Sequence, residues 1–108
     1  MSETAVLPVT SEALAALPEL CERFGVLRLA LFGSAATGHF NPEDSDIDLL
    51  VAFREPPPGG YAEAFFGLQS ALVGLFGRRI DLVTEASLKN PWFRRQVLSE
   101  ARQLFPVA

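Results

Sequence analysis

Phe32-Gly-Ser-Ala-Ala-Thr-Gly-His-Phe-Asn-Pro-Glu-Asp-Ser-Asp-Ile-Asp-Leu-Leu-Val-Ala-Phe53 is the stretch on which the reading of this chain turns. An apolar run, Val26 to Phe32, leads into it with the composition of a buried strand. The run ends on Gly33-Ser34, where the backbone can approach a ligand closely and offer N–H groups to an anion. A second strand starts at Asp46-Ile47-Asp48-Leu49-Leu50-Val51. Side chains alternate faces along a strand, so Asp46 and Asp48 point one way and Ile47, Leu49 and Val51 the other. Two neighbouring acids repel each other unless a cation sits between them. Hard oxygen ligands suit Mg²⁺, which takes one or two carboxylates and completes its shell with water and substrate phosphates. Asp-x-Asp alone is also what an exposed strand face produces. Here Leu50 and Ala52 continue the same face, so the polarity is confined to the start of the strand.

A third acid, Asp81, lies in another short apolar segment, Arg79-Ile-Asp-Leu-Val83, where flanking Ile80 and Leu82 turn it away from the core. Together, a Gly-Ser turn, an Asp-x-Asp after a spacer of 11 residues (35 to 45) and a later strand acid resemble the nucleotidyltransferase superfamily with a DNA polymerase β type of fold. With no large second domain, the chain looks like the minimal branch, many of whose members are antitoxins paired with HEPN-type toxins. The resemblance runs from about Arg28 to the end and implies an α+β fold, a small mixed sheet covered by helices. It further implies that Asp46, Asp48 and Asp81 are catalytic and hold two Mg²⁺ ions (Mn²⁺ substituting), and that Gly33 and Ser34 seat the triphosphate of ATP. Thr37 departs from the pattern, since relatives often carry Arg just before the second glycine.

Composition excludes several classes. At 108 residues, 49% of them hydrophobic, the chain reads as one ordered domain, with residues 1–10 a loose tail and 11–108 the domain. No apolar run reaches the ~18 residues of a membrane span, and no basic-then-apolar leader opens the chain. Cys21 is the single cysteine, so an internal disulfide is impossible and a cytoplasmic location is the expectation. A net charge of −4 argues against passive binding to DNA or RNA. Walker-type phosphate loops, dinucleotide fingerprints, His-Glu-x-x-His and a Ser-His-Asp set are all absent.

Taken in order, a helix is expected from Thr10-Ser11, with Leu14, Leu17, Cys21 and Phe24 inward, a kink or restart at Pro18 and a stop at Gly25. Strands follow at about 26–32 and 46–53. Between them Gly33 to Gly38 should form a turn or short helix, and 39–44 a polar loop in which His39 is a surface residue. The segment 56–60, three prolines and two glycines, is a linker. A helix over about 61–76 carries an apolar stripe of Ala64, Phe65, Leu68, Leu72 and Leu75, closed by Gly77. A third strand covers 79–84. Asn90-Pro91 caps a last helix with Phe93, Val97, Ala101, Leu104 and Phe105 inward, ended by Pro106. Trp92-Phe93 is read as core, with a partner interface as the alternative for Trp92. Arg78, Arg79, Lys89, Arg94 and Arg95 are either a solvated face or contacts for triphosphate or a partner. The acids should gather on the open face of a three-stranded sheet.

The resulting expectation is a metal-dependent enzyme moving AMP from ATP to a hydroxyl. So short a chain leaves little for a small-molecule acceptor pocket, so the acceptor would come from a partner, and the resemblance implies a tyrosine on a HEPN toxin. The alternatives are an antitoxin acting by binding alone, and transfer to a small molecule such as an aminoglycoside.

Overall fold

A computed structural model describes residues 10–33, 36, 46–57 and 59–106. Residues 1–9 of the expected tail, Ser34, Thr37 and the loop at 39–44 lie outside the described residues.

The first helix, α1 (Ser11–Arg23), is capped as its sequence demands: the Thr10 hydroxyl accepts from the Ala13 N–H at 3.1 Å. Pro18 does not restart it; α1 runs through as one element. Proline removes the N–H that would reach the Leu14 carbonyl. Leu14 is exposed, so that carbonyl is open to water and its loss costs little. The inward face is Ala13, Leu17 and Cys21, with Leu20 and Phe24 packed beside them; of the expected stripe only Leu14 faces out. Burial pushes the Cys21 thiol up to about 12, as befits a small core residue.

Strands β1 (Val26–Phe32) and β2 (Ile47–Phe53) pair antiparallel, Phe32 opposite Asp48. Helix α2 (Tyr61–Phe76) buries Ala64, Leu68 and Leu72 as expected, and ends on Gly77, whose φ of 68° is the left-handed stop that glycine adopts without strain. Strand β3 (Ile80–Thr84) then pairs parallel with β2, Asp48 opposite Asp81. The Gln69 amide of α2 donates to the Ile80 carbonyl at 3.0 Å and fixes the helix over the start of that strand. A 3₁₀ turn, Glu85–Ser87, leads to α3 (Pro91–Glu100), where the Asn90 side chain accepts from the N–H groups of Trp92 and Phe93.

Here the sequence reading misleads. The helix stops at Glu100; Ala101 is extended, and Arg102–Phe105 forms β4, antiparallel to β1. Leu104 and Phe105 thus pack from an edge strand and not from a helix. The sheet has four strands among the described residues, ordered β3-β2-β1-β4, mixed in direction and covered by helices: an α+β fold. None of the described helices is long and apolar enough to cross a membrane.

One face of the sheet carries the main core. Leu29, Leu31, Ile47, Leu49 and Val51 meet Leu17, Cys21, Leu68 and Leu72 of α1 and α2, all almost fully buried. The opposite face is not open along its length, as the sequence reading has it. Leu50 is buried there under Leu88 and Val97, with Ala30, Phe32 and Val83 around them. The part of β2 and β3 that begins the strands, where Asp48 is half-buried and Asp81 exposed, lies outside that cluster.

Candidate active site

Three features bring the acids together. The Ile47 N–H donates to the Arg79 carbonyl at 3.1 Å, locking the parallel register that puts Asp48 beside Asp81. The antiparallel register brings Phe32, and hence the turn at Gly33, against Asp48. Gly33 itself has φ 73°, and a Cβ there would run into the Asp48 carboxylate. Glycine at 33 is therefore required twice, for its backbone conformation and for the close approach of Asp48.

The electrostatics follow from this crowding. Burial first, then the charges of Asp81 and Asp46, then a hydrogen bond with Asp81, push the Asp48 carboxyl up to about 6. Asp81 is the exposed member of the pair and Asp48 the half-buried one. Asp46, one residue before the strand, is not simply a third member of a repelling set. Its Oδ1 lies 3.0 Å from Arg79 Nε, an ion pair by distance. The same oxygen is buried and has no hydrogen bond among the described residues, so the contact is Coulombic and not a well-directed N–H···O bond.

The sequence thus identifies Gly33, Asp46, Asp48 and Asp81 as one constellation, and the structure gathers these residues at one end of β2 and β3. Ser34 lies outside the described residues. What sequence reasoning missed is the specific partnership of Arg79 with Asp46; the signal was available, because Arg79 stands two residues before Asp81 just as Asp46 stands two before Asp48. Trp92 and Phe93, expected inside, are instead 77% and 49% exposed, and the Arg95 guanidinium lies 5.8 Å from the Trp92 ring centroid. A cleft of about 540 Å³, lined by Leu27, Arg28, Phe53, Tyr61 and Thr84, opens at the far end of the strands and contains none of the three acids.

The donors fit a divalent ion in chemistry: hard carboxylate oxygens, one of them buried and unsatisfied, and a carboxyl whose charge is disfavoured until a cation arrives. They do not form a finished cage. Among the described residues no three His, Cys, Asp or Glu groups are drawn together tightly enough to ligate one ion unaided.

Comparison with known proteins places the chain in a family. A protein adenylyltransferase, MntA, of Thermococcus cleftensis is 46% identical over 72 residues, which is 67% of this chain and 69% of that one. A solved structure of a protein assigned as a minimal nucleotidyltransferase superposes with a TM-score of 0.71 at 44% identity, covering 84% of this chain and 88% of the other. The fold is also that of a chain in the complex of the tri-AMPylated Shewanella oneidensis HEPN toxin with its MNT antitoxin. There the TM-score is 0.59 at 20% identity, over 89% of this chain and 71% of that one. The description of the nucleotidyltransferase domain matches residues 15–105, and the chain belongs to that family of enzymes.

Proposed function

We propose that this chain is a metal-dependent protein adenylyltransferase that moves AMP from ATP to a tyrosine hydroxyl of a HEPN-type toxin and thereby acts as its antitoxin. The observation that carries the reading is the parallel register of β2 and β3, which sets Asp48 against Asp81 at the Gly33 turn. The name of the Thermococcus relative and the AMPylated toxin in the Shewanella complex support the choice of donor and acceptor.

Asp46, Asp48 and Asp81 would hold two Mg²⁺ ions, which when bound offset phosphate charge and stabilise the attacking and leaving oxygens. The chain's own residues do the rest. Gly33, lacking a side chain, lets the triphosphate come close to the backbone, with Ser34 beside it as a hydroxyl donor. Asp81, exposed at the start of β3, faces the acceptor and takes the tyrosine proton as its oxygen attacks the α-phosphorus. The new O–P bond forms as the bond between the α- and β-phosphates breaks, and pyrophosphate leaves. Asp48, half-buried and pushed up to about 6 by burial and by the charges of Asp81 and Asp46, is the carboxyl whose ionised form gains most from a bound cation.

The test is label transfer from α-labelled ATP to the cognate HEPN-type protein, with mass spectrometry to locate the adduct. Gain of one or more AMP units on a tyrosine, abolished by EDTA, is the expected result; no transfer with Mg²⁺ or Mn²⁺ would reject the enzymatic reading. A second reading, neutralisation by binding alone, draws on the exposed Trp92 and Arg95 of α3, residue types enriched at interfaces. It predicts toxin neutralisation without any adduct.

A further inference from the structure

We propose that Arg79 is a two-position residue: in the metal-free chain it occupies the cation's place at Asp46, and on loading it turns to the incoming phosphates. The proposal rests on the metal and nucleotide reading above and assigns to that site a residue outside the acid triad. Backbone geometry fixes where Arg79 starts. Its carbonyl accepts from the Ile47 N–H at 3.1 Å, and Ile80 is the register partner of Ile47, so Arg79 and Asp46 face each other just before their strands begin.

The side chains then show a contact that is close but unfinished. Nε lies 3.0 Å from Asp46 Oδ1, yet that oxygen, buried, lacks a hydrogen bond among the described residues. The Arg79 side chain is 81% exposed and that of Asp46 40%. A guanidinium so exposed makes a weak pair, screened by water and salt, and can leave without disturbing the core. An arriving divalent ion has the stronger claim on a buried, unsatisfied carboxylate oxygen. The displaced guanidinium then stands beside a triphosphate, an anion whose oxygens match its planar fork of N–H donors. Asp48 and Asp81, the other charges facing this corner, favour retention of a cation there until metal replaces it.

Opposite effects on two binding constants follow. With Mn²⁺ alone as the probe, Arg79→Ala removes a competitor and should tighten binding by about 2–5-fold, the scale of an exposed ion pair. With Mn²⁺ and α,β-methylene-ATP together, the same variant loses a phosphate contact and should bind the analogue about 10-fold more weakly, the scale of a charge-assisted hydrogen bond. Arg79→Lys keeps the charge without the fork and should fall between wild type and Arg79→Ala in both. Adding Asp46→Asn to Arg79→Ala should abolish the gain in Mn²⁺ affinity. Free Mn²⁺ measured by electron paramagnetic resonance and analogue binding by calorimetry read the two constants without any turnover. Both constants moving in one direction, or neither moving while wild type binds normally, would overturn the role of Arg79 and leave the site reading intact. If wild type binds neither probe, the site reading fails and this proposal fails with it.

Discussion

Strand β2 presents two different surfaces within seven residues. Ile47, Leu49 and Val51 point into the continuous core under α1 and α2, and all three are fully buried. Asp48, Leu50 and Ala52 point to the other side, where only Leu50 is sealed, by a small cluster with Leu88 and Val97. The first face is closed by two helices, the second by Leu88 and by Val97 of α3. The core and the candidate site therefore use alternate residues of one strand.

The sharpest way to break that comparison is to change a residue on the functional side and ask whether the fold notices. Asp81→Asn should leave folding unaltered and retain nucleotide binding through Asp46, Asp48 and Gly33. Transfer to the acceptor should fall by about 10²–10⁴-fold, the range for a lost general base. Undiminished single-turnover transfer would remove Asp81 from the chemistry.

Core truncation should do the reverse. Leu49→Ala empties a site in the main core and should cost about 2–5 kcal/mol in urea unfolding. Leu50→Ala, on the other face, should lie at the low end of that range, because its cluster holds few buried residues and can collapse around the gap. Equal losses would mean that the second cluster is as rigid as the first.

Much of this division was legible in the sequence because it depends on local period. The alternation from Asp46 to Val51, the stripe on α2 and the Asn90-Pro91 cap each follow from a few adjacent residues. Features set by distant pairing were not legible. Arg102–Phe105 continues an apolar spacing that fits a helix, and only its pairing with β1, some seventy positions away, makes it a strand. Pro18 does not force a restart, and a sequence that shows the missing N–H cannot show that Leu14 faces water. The contact between Arg79 and Asp46 required the register of β2 and β3 before it could be seen.

A smaller effect tests the electrostatics of the acid face. Asp48 has a folded-state pKa of about 6 against an ordinary value of 3.8. A raised carboxyl pKa contributes stability that is complete below pH 4 and is lost as pH rises through 6. The metal-free chain should thus lose about 1 kcal/mol over that window, allowing for the partly exposed carboxyl, or about 4–8 °C in Tm. Asp48→Asn should remove this component of the pH dependence, and saturating Mg²⁺ with ATP should reverse its sign in wild type, since the ionised form then has a partner. A slope identical in wild type and Asp48→Asn would show that the carboxyl does not feel Asp81 and Asp46.

The smallest expected effect lies on α3, which divides the same way as β2. Val97 is buried against Leu50, whereas Trp92 projects into solvent with Arg95 near its ring. The sequence reading put Trp92 in the core, where losing so large a side chain would cost about 3–5 kcal/mol. In the structure its removal forfeits only a surface contact, so Trp92→Ala should change stability by no more than about 0.5–1 kcal/mol. Val97→Ala, though it deletes far fewer atoms, should cost about 1.5 kcal/mol through two buried methyl groups. The inversion, with the smaller deletion doing more damage, follows from burial alone and is measured by paired urea melts. A Trp92→Ala loss above that of Val97→Ala would mean that α3 packs by its aromatic end, and that the cover over Leu50 is built differently from the one described.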